Sequence, residues 1–295
     1  MYDKSKSLGA FPSPRDLRTF SYYLGGEYKV QKGGKRYLPV DIEDQSKVGI
    51  CTSISLTQNA SKAIGGSKWN ADFLYLLQKK YFDKNWIEGS SIFHALKAAK
   101  TYGFLPEQEW KHTTKADRDL GYAHYIKKLQ AVPQVEIDRL LVIASAYKLI
   151  SAYANVPVTR DELARSIDES KAGILVRFNV GKEWWTSKTG VISWLASDIQ
   201  PLREPKTVIS GHAVTESNFD GGSFRIANTW SERWADGGTA YHSLREYEPT
   251  EAWMVWYWDE KIPKEIEKQI ESRESIVGKI VDMLQMIIEL VKKLA

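Results

Sequence analysis

The sequence predicts an α+β fold in which a mainly helical stretch precedes a strand-rich stretch. Residues 45–128 carry apolar side chains at helical spacing, whereas residues 152–258 contain short strand-like runs separated by glycine turns. Residues 263–295 differ from both, because Lys and Glu are interspersed there with apolar residues in a heptad pattern. We therefore expect an N-terminal arm at 1–44, a helical lobe at 45–128, a strand-rich lobe at 129–262 and a helical tail at 263–295.

Composition narrows the class of protein. The chain has 295 residues, 43% hydrophobic content and 11 tryptophans, which are typical of a globular protein. Its net charge of +4 is small and its basic residues are dispersed, so nucleic acid is not an expected partner. A single cysteine excludes an intramolecular disulfide framework. No stretch has the roughly 18 consecutive apolar residues of a membrane span, and residues 1–10 lack the features of a secretory signal.

The N-terminal arm is rich in Gly, Pro, Lys and Tyr. Its Gly25-Gly26 and Gly33-Gly34 pairs are turn signals, and one short strand is expected near Tyr37 to Val40. These residues leave open whether the arm packs on the protein or forms a loosely held leader.

The only cysteine, Cys51, lies at the start of the first expected helix, which runs from Cys51 to Ile64. A thiol at a helix start feels the positive end of the helix dipole, which favours the thiolate. Six residues earlier, Gln45 carries an amide that could donate a hydrogen bond to a developing oxyanion. Taken alone, a lone cysteine is more often a small buried side chain than a nucleophile.

Two further helices are expected in the helical lobe. Residues 69–81 supply an apolar face at helical spacing. Ser90 or Ser91 can cap the next helix, which ends at Tyr102-Gly103, a typical C-terminal stop.

Within the strand-rich lobe a helix is expected at Thr159 to Ser170, because Thr159 and Glu162 form a capping box. Asp220-Gly221-Gly222 reads as a turn between two strands. The expected strands are Gly173 to Phe178, Gly211 to Ser217, Ser223 to Asn228, Thr239 to Leu244 and Trp253 to Trp258.

Two motifs in this lobe change the interpretation of the cysteine. They are Gly211-His212-Ala213-Val214 and Ile226-Ala227-Asn228-Thr229-Trp230. Gln45 precedes Cys51 by six residues and His212 precedes Asn228 by sixteen. With these spacings the chain resembles the papain-like cysteine peptidases, in which Asn-Ser-Trp stands where this chain has Asn-Thr-Trp.

The distance from Cys51 to His212 is 161 residues, longer than the about 130–150 of the papain signature. The difference predicts an insertion, which we assign to residues 129–150. Apolar residues at helical spacing predict that Glu136 to Ser151 forms one more helix there.

The resemblance implies a two-lobe papain-like fold, with a helical lobe and a β-barrel-like lobe. It also implies a catalytic set. Cys51 would be the nucleophile, His212 the base and Asn228 the residue that orients the base. Gln45 would donate to the oxyanion, and Trp230 would shield the His–Asn hydrogen bond from water.

The same resemblance implies a polypeptide substrate that binds in extended form along backbone groups. The residues expected to contact it are Gly49, Gly89, Ser90, Gly211 and Trp230. No cofactor is implied, and no metal-binding pattern is present in the sequence. Two other functions stay open, namely a papain-fold binding or assembly protein with weak or no proteolysis, and a peptidase that cleaves peptidoglycan cross-links.

The segments Phe11-Pro12-Ser13-Pro14-Arg15-Asp16 and Cys51-Thr52-Ser53 are most similar to prokaryotic or viral members of the family, which often lack a long propeptide. We therefore expect a cytoplasmic or virion-associated peptidase.

The tail at 263–295 has three interpretations. It could dock on its own domain, mediate self-association, or lie on a membrane surface. Lys279, Asp282 and Glu289 argue against a transmembrane span.

Overall fold

The structure is a computed structural model, and the part of the chain that it describes comprises residues 6–14, 41–181, 183–186, 190–192, 210–243 and 247–258. The predicted α+β fold class is confirmed, because helices predominate between residues 51 and 145 and antiparallel strands between residues 150 and 257. The strand expected at 37–40 and the tail at 263–295 lie outside the described residues.

In chain order the described helices are α1 (Cys51–Ala63), α2 (Ala71–Leu77), α3 (Ile92–Tyr102), α4 (Lys115–Asp119), α5 (Tyr122–Gln130), α6 (Gln134–Ser145), α7 (Arg160–Glu169) and α8 (Glu183–Thr186). Helix α2 continues into a π-helix at Gln78–Asp83, and Glu107–Glu109 forms a single 3₁₀ turn. None of these described helices has the length and apolar character that crossing a membrane requires.

The helix ends follow the predicted capping residues. Ser91 Oγ accepts a hydrogen bond from the backbone of His94, so Ser91 caps α3. Helix α3 stops at Gly103, which has a φ of 93° that other residues rarely adopt. Thr159 caps α7 by accepting from the backbone N–H of Glu162 at 3.4 Å.

The described strands are β1 (Ala10–Phe11), β2 (Ser90–Ser91), β3 (Ile150–Asn155), β4 (Ile174–Val180), β5 (Ser210–Phe219), β6 (Phe224–Ala227), β7 (Thr239–His242) and β8 (Glu251–Tyr257). Six of them form an antiparallel sheet in the order β3-β8-β4-β5-β6-β7. The short strands β1 and β2 pair in parallel and form a separate two-stranded sheet. The predicted turn between β5 and β6 is present, since Asp220 Oδ1 accepts from the backbone N–H groups of Gly222 and Ser223.

One predicted helix is too long. The pattern at Glu136 to Ser151 predicts a single helix, but α6 ends at Ser145 and β3 begins at Ile150. Residues 150–155 alternate between buried and half-buried side chains, which is the period of a strand and not of a helix. The strand pairs with β8 at the edge of the sheet, and only that long-range pairing decides the conformation of residues 150 and 151.

Side chains of helix α1 form hydrogen bonds that connect the helical half of the molecule to the strand-rich half. Ser55 Oγ donates to the carbonyl oxygen of Ala213 on β5 at 2.9 Å. Asn59 Nδ2 donates to Ala172 O at 3.0 Å, and Asn59 Oδ1 accepts from the hydroxyl of Tyr257 at 2.7 Å. These bonds fix the residue at the start of α1, Cys51, relative to strand β5.

Candidate active site

Cys51 is the first residue of α1 and is completely buried. The backbones of Ala213 and Gly9 lie near its thiol and lower the thiol pKa, against the larger effect of burial. Ala213 follows His212 on strand β5, so the cysteine lies near the residue next to the histidine predicted to act with it.

His212 is hydrogen-bonded to Asn228, with 2.7 Å between His212 Nε2 and Asn228 Oδ1. The same oxygen accepts from the backbone N–H of Thr229 at 2.7 Å, which identifies it as the amide oxygen. Because Asn228 presents an acceptor, His212 Nε2 must donate. The lone pair of a neutral ring then lies on Nδ1, which is buried and has no hydrogen-bond partner.

Two tryptophans enclose the imidazole of His212. The Trp230 ring lies 4.9 Å from it, centroid to centroid, and the Trp184 ring meets it edge-on at 5.6 Å and 87°. Both indoles are almost fully buried. Trp230, the tryptophan of the Asn-Thr-Trp motif, therefore packs on the His212 ring. Trp184 was not predicted, since the sequence offers no spacing that links it to the histidine.

Gln45 is buried, and the two ends of its side-chain amide have different partners. Nε2 donates to the carbonyl oxygen of Ser7 at 2.5 Å. Oε1 accepts from the hydroxyl of Thr229 at 2.5 Å, and the Gln45 backbone N–H donates to Thr229 O at 2.9 Å. Sequence reasoning gave Thr229 no role, although its place in the Asn-Thr-Trp motif was the available signal.

Residues 6–14, which we call the strap, lie in the cleft over the cysteine. Gly9 accepts a hydrogen bond from the backbone N–H of Ser90 at 2.7 Å. Ala10 and Phe11 form β1, which pairs with Ser90–Ser91. The strap therefore occupies the backbone groups that the sequence assigned to substrate.

Three predicted substrate-contact residues, Gly49, Gly89 and Gly211, lie directly against the strap. A Cβ atom on any of them would come closer than 3.0 Å to a strap carbonyl oxygen. The oxygens belong to residues 8, 9 and 10 in that order. The absence of side chains at these three positions opens a channel that admits one extended backbone.

The beginning of the strap is held by polar contacts. Lys6 Nζ forms a salt bridge with Asp44 at 2.5 Å. Glu88 Oε1 accepts from the Ser7 hydroxyl at 2.6 Å and from the Gly49 backbone N–H at 2.8 Å. Burial raises the pKa of the Glu88 carboxyl, and these two hydrogen bonds act in the opposite direction.

Arg177 on β4 holds the next part of the strap. Its Nε donates to the carbonyl oxygen of Ala10 at 2.9 Å. Its Nη1 donates to Asn179 Oδ1 at 3.0 Å and to Thr250 Oγ1 at 2.6 Å. Neither Arg177 nor the strap was assigned to the site from the sequence.

Burial favours the neutral forms of Cys51 and His212 in this arrangement. It raises the pKa of the Cys51 thiol to about 11 and lowers the pKa of His212 to about 4. The helix dipole predicts the opposite for the thiol, but it contributes only about 0.3–1 kcal/mol. Removal of the thiol from water under the strap outweighs that contribution, since two pKa units correspond to about 2.7 kcal/mol.

The other histidines of the chain lie outside this cluster, and each faces a carboxylate. The pairs are His94–Asp83, His112–Glu136, His124–Asp117 and His242–Glu216. Within the described ranges, no three or more His, Cys, Asp or Glu side chains are grouped to hold a metal ion.

No family model matches the sequence, and no curated protein matches it. Solved structures do match. The chain is similar to xylellain, a cysteine protease from Xylella fastidiosa, with 20% identity, a TM-score of 0.62, and coverage of 89% of this chain and 98% of that one. Procathepsin L 3 of the Tenebrio molitor larval midgut matches with 15% identity, a TM-score of 0.51, and coverage of 77% of this chain and 75% of that one.

A third match is the structure of the cysteine protease and lectin-like domains of Cwp84, a surface layer associated protein of Clostridium difficile. The identity is 11% and the TM-score 0.59, and the match covers 87% of this chain and 57% of that one. These likenesses agree on one architecture, and the chain therefore has the papain-like fold.

Proposed function

We propose that the protein is a cysteine peptidase in which Cys51 is the nucleophile and His212 the base. The observation that carries the proposal is that one extended peptide segment lies against both the proposed oxyanion donor and the proposed nucleophile. The carbonyl oxygen of Ser7 accepts from Gln45, and two residues later Gly9 reaches the thiol of Cys51. The cleft is thus shaped for a polypeptide backbone.

In the acylation step the thiol proton moves to His212 Nδ1 and the sulfur attacks the carbonyl carbon of the substrate. The unpartnered lone pair on Nδ1 supports this direction of transfer. A C–S bond forms, the C–N bond breaks, and the imidazolium gives its proton to the leaving amine. The products are a thioester on Cys51 and a free amine.

In the deacylation step water attacks the thioester carbon while His212 Nδ1 takes a proton from the water. A C–O bond forms, the C–S bond breaks, and the proton returns to the sulfur. Asn228 accepts from Nε2 throughout, so it keeps the ring oriented and stabilises its charged form.

Gln45 supplies the oxyanion donor in this proposal, together with the backbone N–H of Cys51. Its Nε2 already donates to a peptide carbonyl, that of Ser7. The contact of Thr229 with Oε1 keeps the amide turned that way. Removal of one such donor typically costs about 100- to 1,000-fold in rate.

Gly49, Gly89, Ser90 and Gly211 would contact the substrate backbone, as they contact the strap. The strap must leave before a substrate can enter, because both bind the same groups.

The covered thiol favours a second candidate, a papain-fold binding protein without proteolysis. In that case the strap would stay in place and the neutral pair would never react. The two candidates differ in whether Cys51 becomes a nucleophile once the strap is loosened.

The experiment compares the full chain with a Gly9→Val variant, since a side chain at Gly9 would collide with the backbone of Gly49. Both are treated with a thiol-directed epoxide at pH 7 and analysed by mass spectrometry, and both are assayed for cleavage of unfolded casein. A peptidase predicts fast labelling and cleavage in Gly9→Val, and loss of cleavage when Cys51→Ala is added. Labelling no faster than in a denatured control would refute the proposal.

A further inference from the structure

Arg177 is a buried cation on the floor of the cleft. The residue belongs to β4, which pairs with β5, the strand that carries His212. Only 7% of Arg177 is exposed. Burial lowers the pKa of Arg177, whereas Glu251 and a Cys51 thiolate attract the guanidinium electrostatically. None of the proposed bond-making and bond-breaking steps involves Arg177.

The edge of the guanidinium that faces the cleft is the one that binds carboxylates. A Cβ atom on Gly211 would lie 2.5 Å from Arg177 Nη2 and 2.7 Å from Nε. Nη1 points the other way, where Asn179 and Thr250 hold it. The Nε–Nη2 edge can form two parallel hydrogen bonds with one carboxylate.

This edge meets only a neutral acceptor while the strap is bound. Nε donates to the carbonyl oxygen of Ala10, and within the described part of the chain no carboxylate lies within the 4.0 Å of an ion pair. Glu251 attracts Arg177 from a longer distance, but its own oxygens accept from the backbone and hydroxyl of Ser13 and from the indole of Trp253. When the strap leaves, the Nε–Nη2 edge loses the Ala10 carbonyl, and Glu251, which lies opposite Arg177 in the pairing of β4 with β8, loses Ser13. An incoming carboxylate then competes with Glu251 for this edge.

We propose that Arg177 selects substrates, favouring peptides with an acidic side chain at the position that crosses Gly211. The incoming carboxylate replaces the Ala10 carbonyl and satisfies both Nε and Nη2. Arg177 is therefore a specificity residue. Because Ala10 offers Arg177 only a neutral carbonyl oxygen, the strap binds this edge more weakly than an acidic substrate does. This inference rests on the proposed peptidase function, but peptide binding tests it separately from cleavage.

The test uses the Gly9→Val chain and blocked hexapeptides in which each position in turn is fixed as Glu or as Gln. Cleavage rates are measured with Cys51 intact, and affinities are measured with Cys51→Ala, which cannot cleave. At one position Glu is expected to exceed Gln by about 10- to 100-fold in kcat/KM and in affinity, the range of a charge-assisted hydrogen bond. Arg177→Gln should reduce this ratio to about one.

Arg177→Lys keeps the charge but lacks the two-donor edge, so its ratio should be intermediate. It also provides the test if circular dichroism shows that Arg177→Gln does not fold. Arg225→Gln is the matched control, because Arg225 contacts Thr239 and Asp236 and should leave the ratio unchanged.

The inference is overturned if Glu is not preferred over Gln at any peptide position. It is also overturned if the preference for Glu persists in the Arg177→Gln variant. If cleavage occurs without a Glu preference, the peptidase function stands and the inference fails. If Glu peptides bind tightly to the Cys51→Ala chain but no peptide is cleaved with Cys51 intact, the inference stands and the peptidase function fails.

Discussion

The hydroxyl of Thr229 donates a 2.5 Å hydrogen bond to Oε1 of Gln45, a residue 184 positions earlier in the chain. The bond joins the two parts of the proposed site that come from opposite halves of the fold. Thr229 is the neighbour of Asn228, so the residue that follows the orienting asparagine also orients the oxyanion donor. The amide of Gln45 cannot turn over without losing this bond.

Thr229→Val should therefore reduce turnover more than substrate binding. Valine has nearly the same shape as threonine but lacks the hydroxyl, so Gln45 loses the contact that turns Nε2 into the cleft. We expect kcat to fall about tenfold in the Gly9→Val chain, less than the about 100-fold expected for Gln45→Ala, with little change in KM. Thr229→Ser retains the hydroxyl and should keep most of the activity. Equal kcat values for the Val and Ser variants would show that Thr229 does not position Gln45.

Loosening the strap should expose the thiol to reagents. At pH 7 a thiol with a pKa of about 11 is ionised in only about one molecule in 10,000, so the intact chain should react slowly with iodoacetamide. Gly9→Val removes the cover, rehydrates Cys51 and lowers its pKa, and labelling should become at least about 100-fold faster. Gly222→Ala is the control, because a Cβ there meets no atom closer than 3.8 Å. Similar rates for Gly9→Val and Gly222→Ala would contradict the covering role of the strap.

The sequence predicted the fold class and the four residues proposed for catalysis because each depends on a local signal. Ser91 and Thr159 are caps that hydrogen-bond within a few residues of themselves, and the structure has both. Gln45 and Cys51 lie six residues apart on one short segment. A short fixed spacing of this kind can be recognised in the sequence without any knowledge of the long-range contacts.

Features that depend on long-range contacts were not predictable. The conformation of residues 150 and 151 is decided by pairing with β8, about 100 residues later. The sequence leaves open whether the N-terminal arm packs on the protein, and only the contacts of the strap with Ser90 and Arg177 reveal that it lies in the cleft. The pKa of Cys51 has the opposite direction from the helix-dipole expectation, because burial under the strap is invisible in the sequence.

The pH dependence of stability should carry the signature of His212. Its folded pKa of about 4 lies below the ordinary value of 6.5, so between these values the unfolded chain binds the proton and the folded chain does not. Stability contributed by His212 is therefore present above about pH 6.5 and lost as pH falls towards 4. The full difference is about 3 kcal/mol.

Glu43 acts in the opposite direction, since burial raises its pKa to about 7 and favours the folded state at low pH. The measurement must therefore compare variants. Urea unfolding at pH 7 and pH 4.5 should show a smaller acid-dependent loss of stability for His212→Gln than for the intact chain. An identical pH dependence in the two proteins would mean that His212 is not buried in its neutral form.

The pair His242–Glu216 should be required for stability and not for the proposed chemistry. The two side chains are almost completely buried in the sheet, 2.8 Å apart, and His242 also contacts the carbonyl oxygen of Tyr247. His242→Leu leaves the Glu216 carboxyl buried without its partner, which typically costs about 3–5 kcal/mol. His124→Leu is the comparison, because the His124 side chain is 42% exposed and its pair with Asp117 should contribute less than about 1 kcal/mol. The midpoint of thermal unfolding should therefore fall strongly for His242→Leu and little for His124→Leu. Equal shifts would show that the buried pair is not a main source of stability in the sheet.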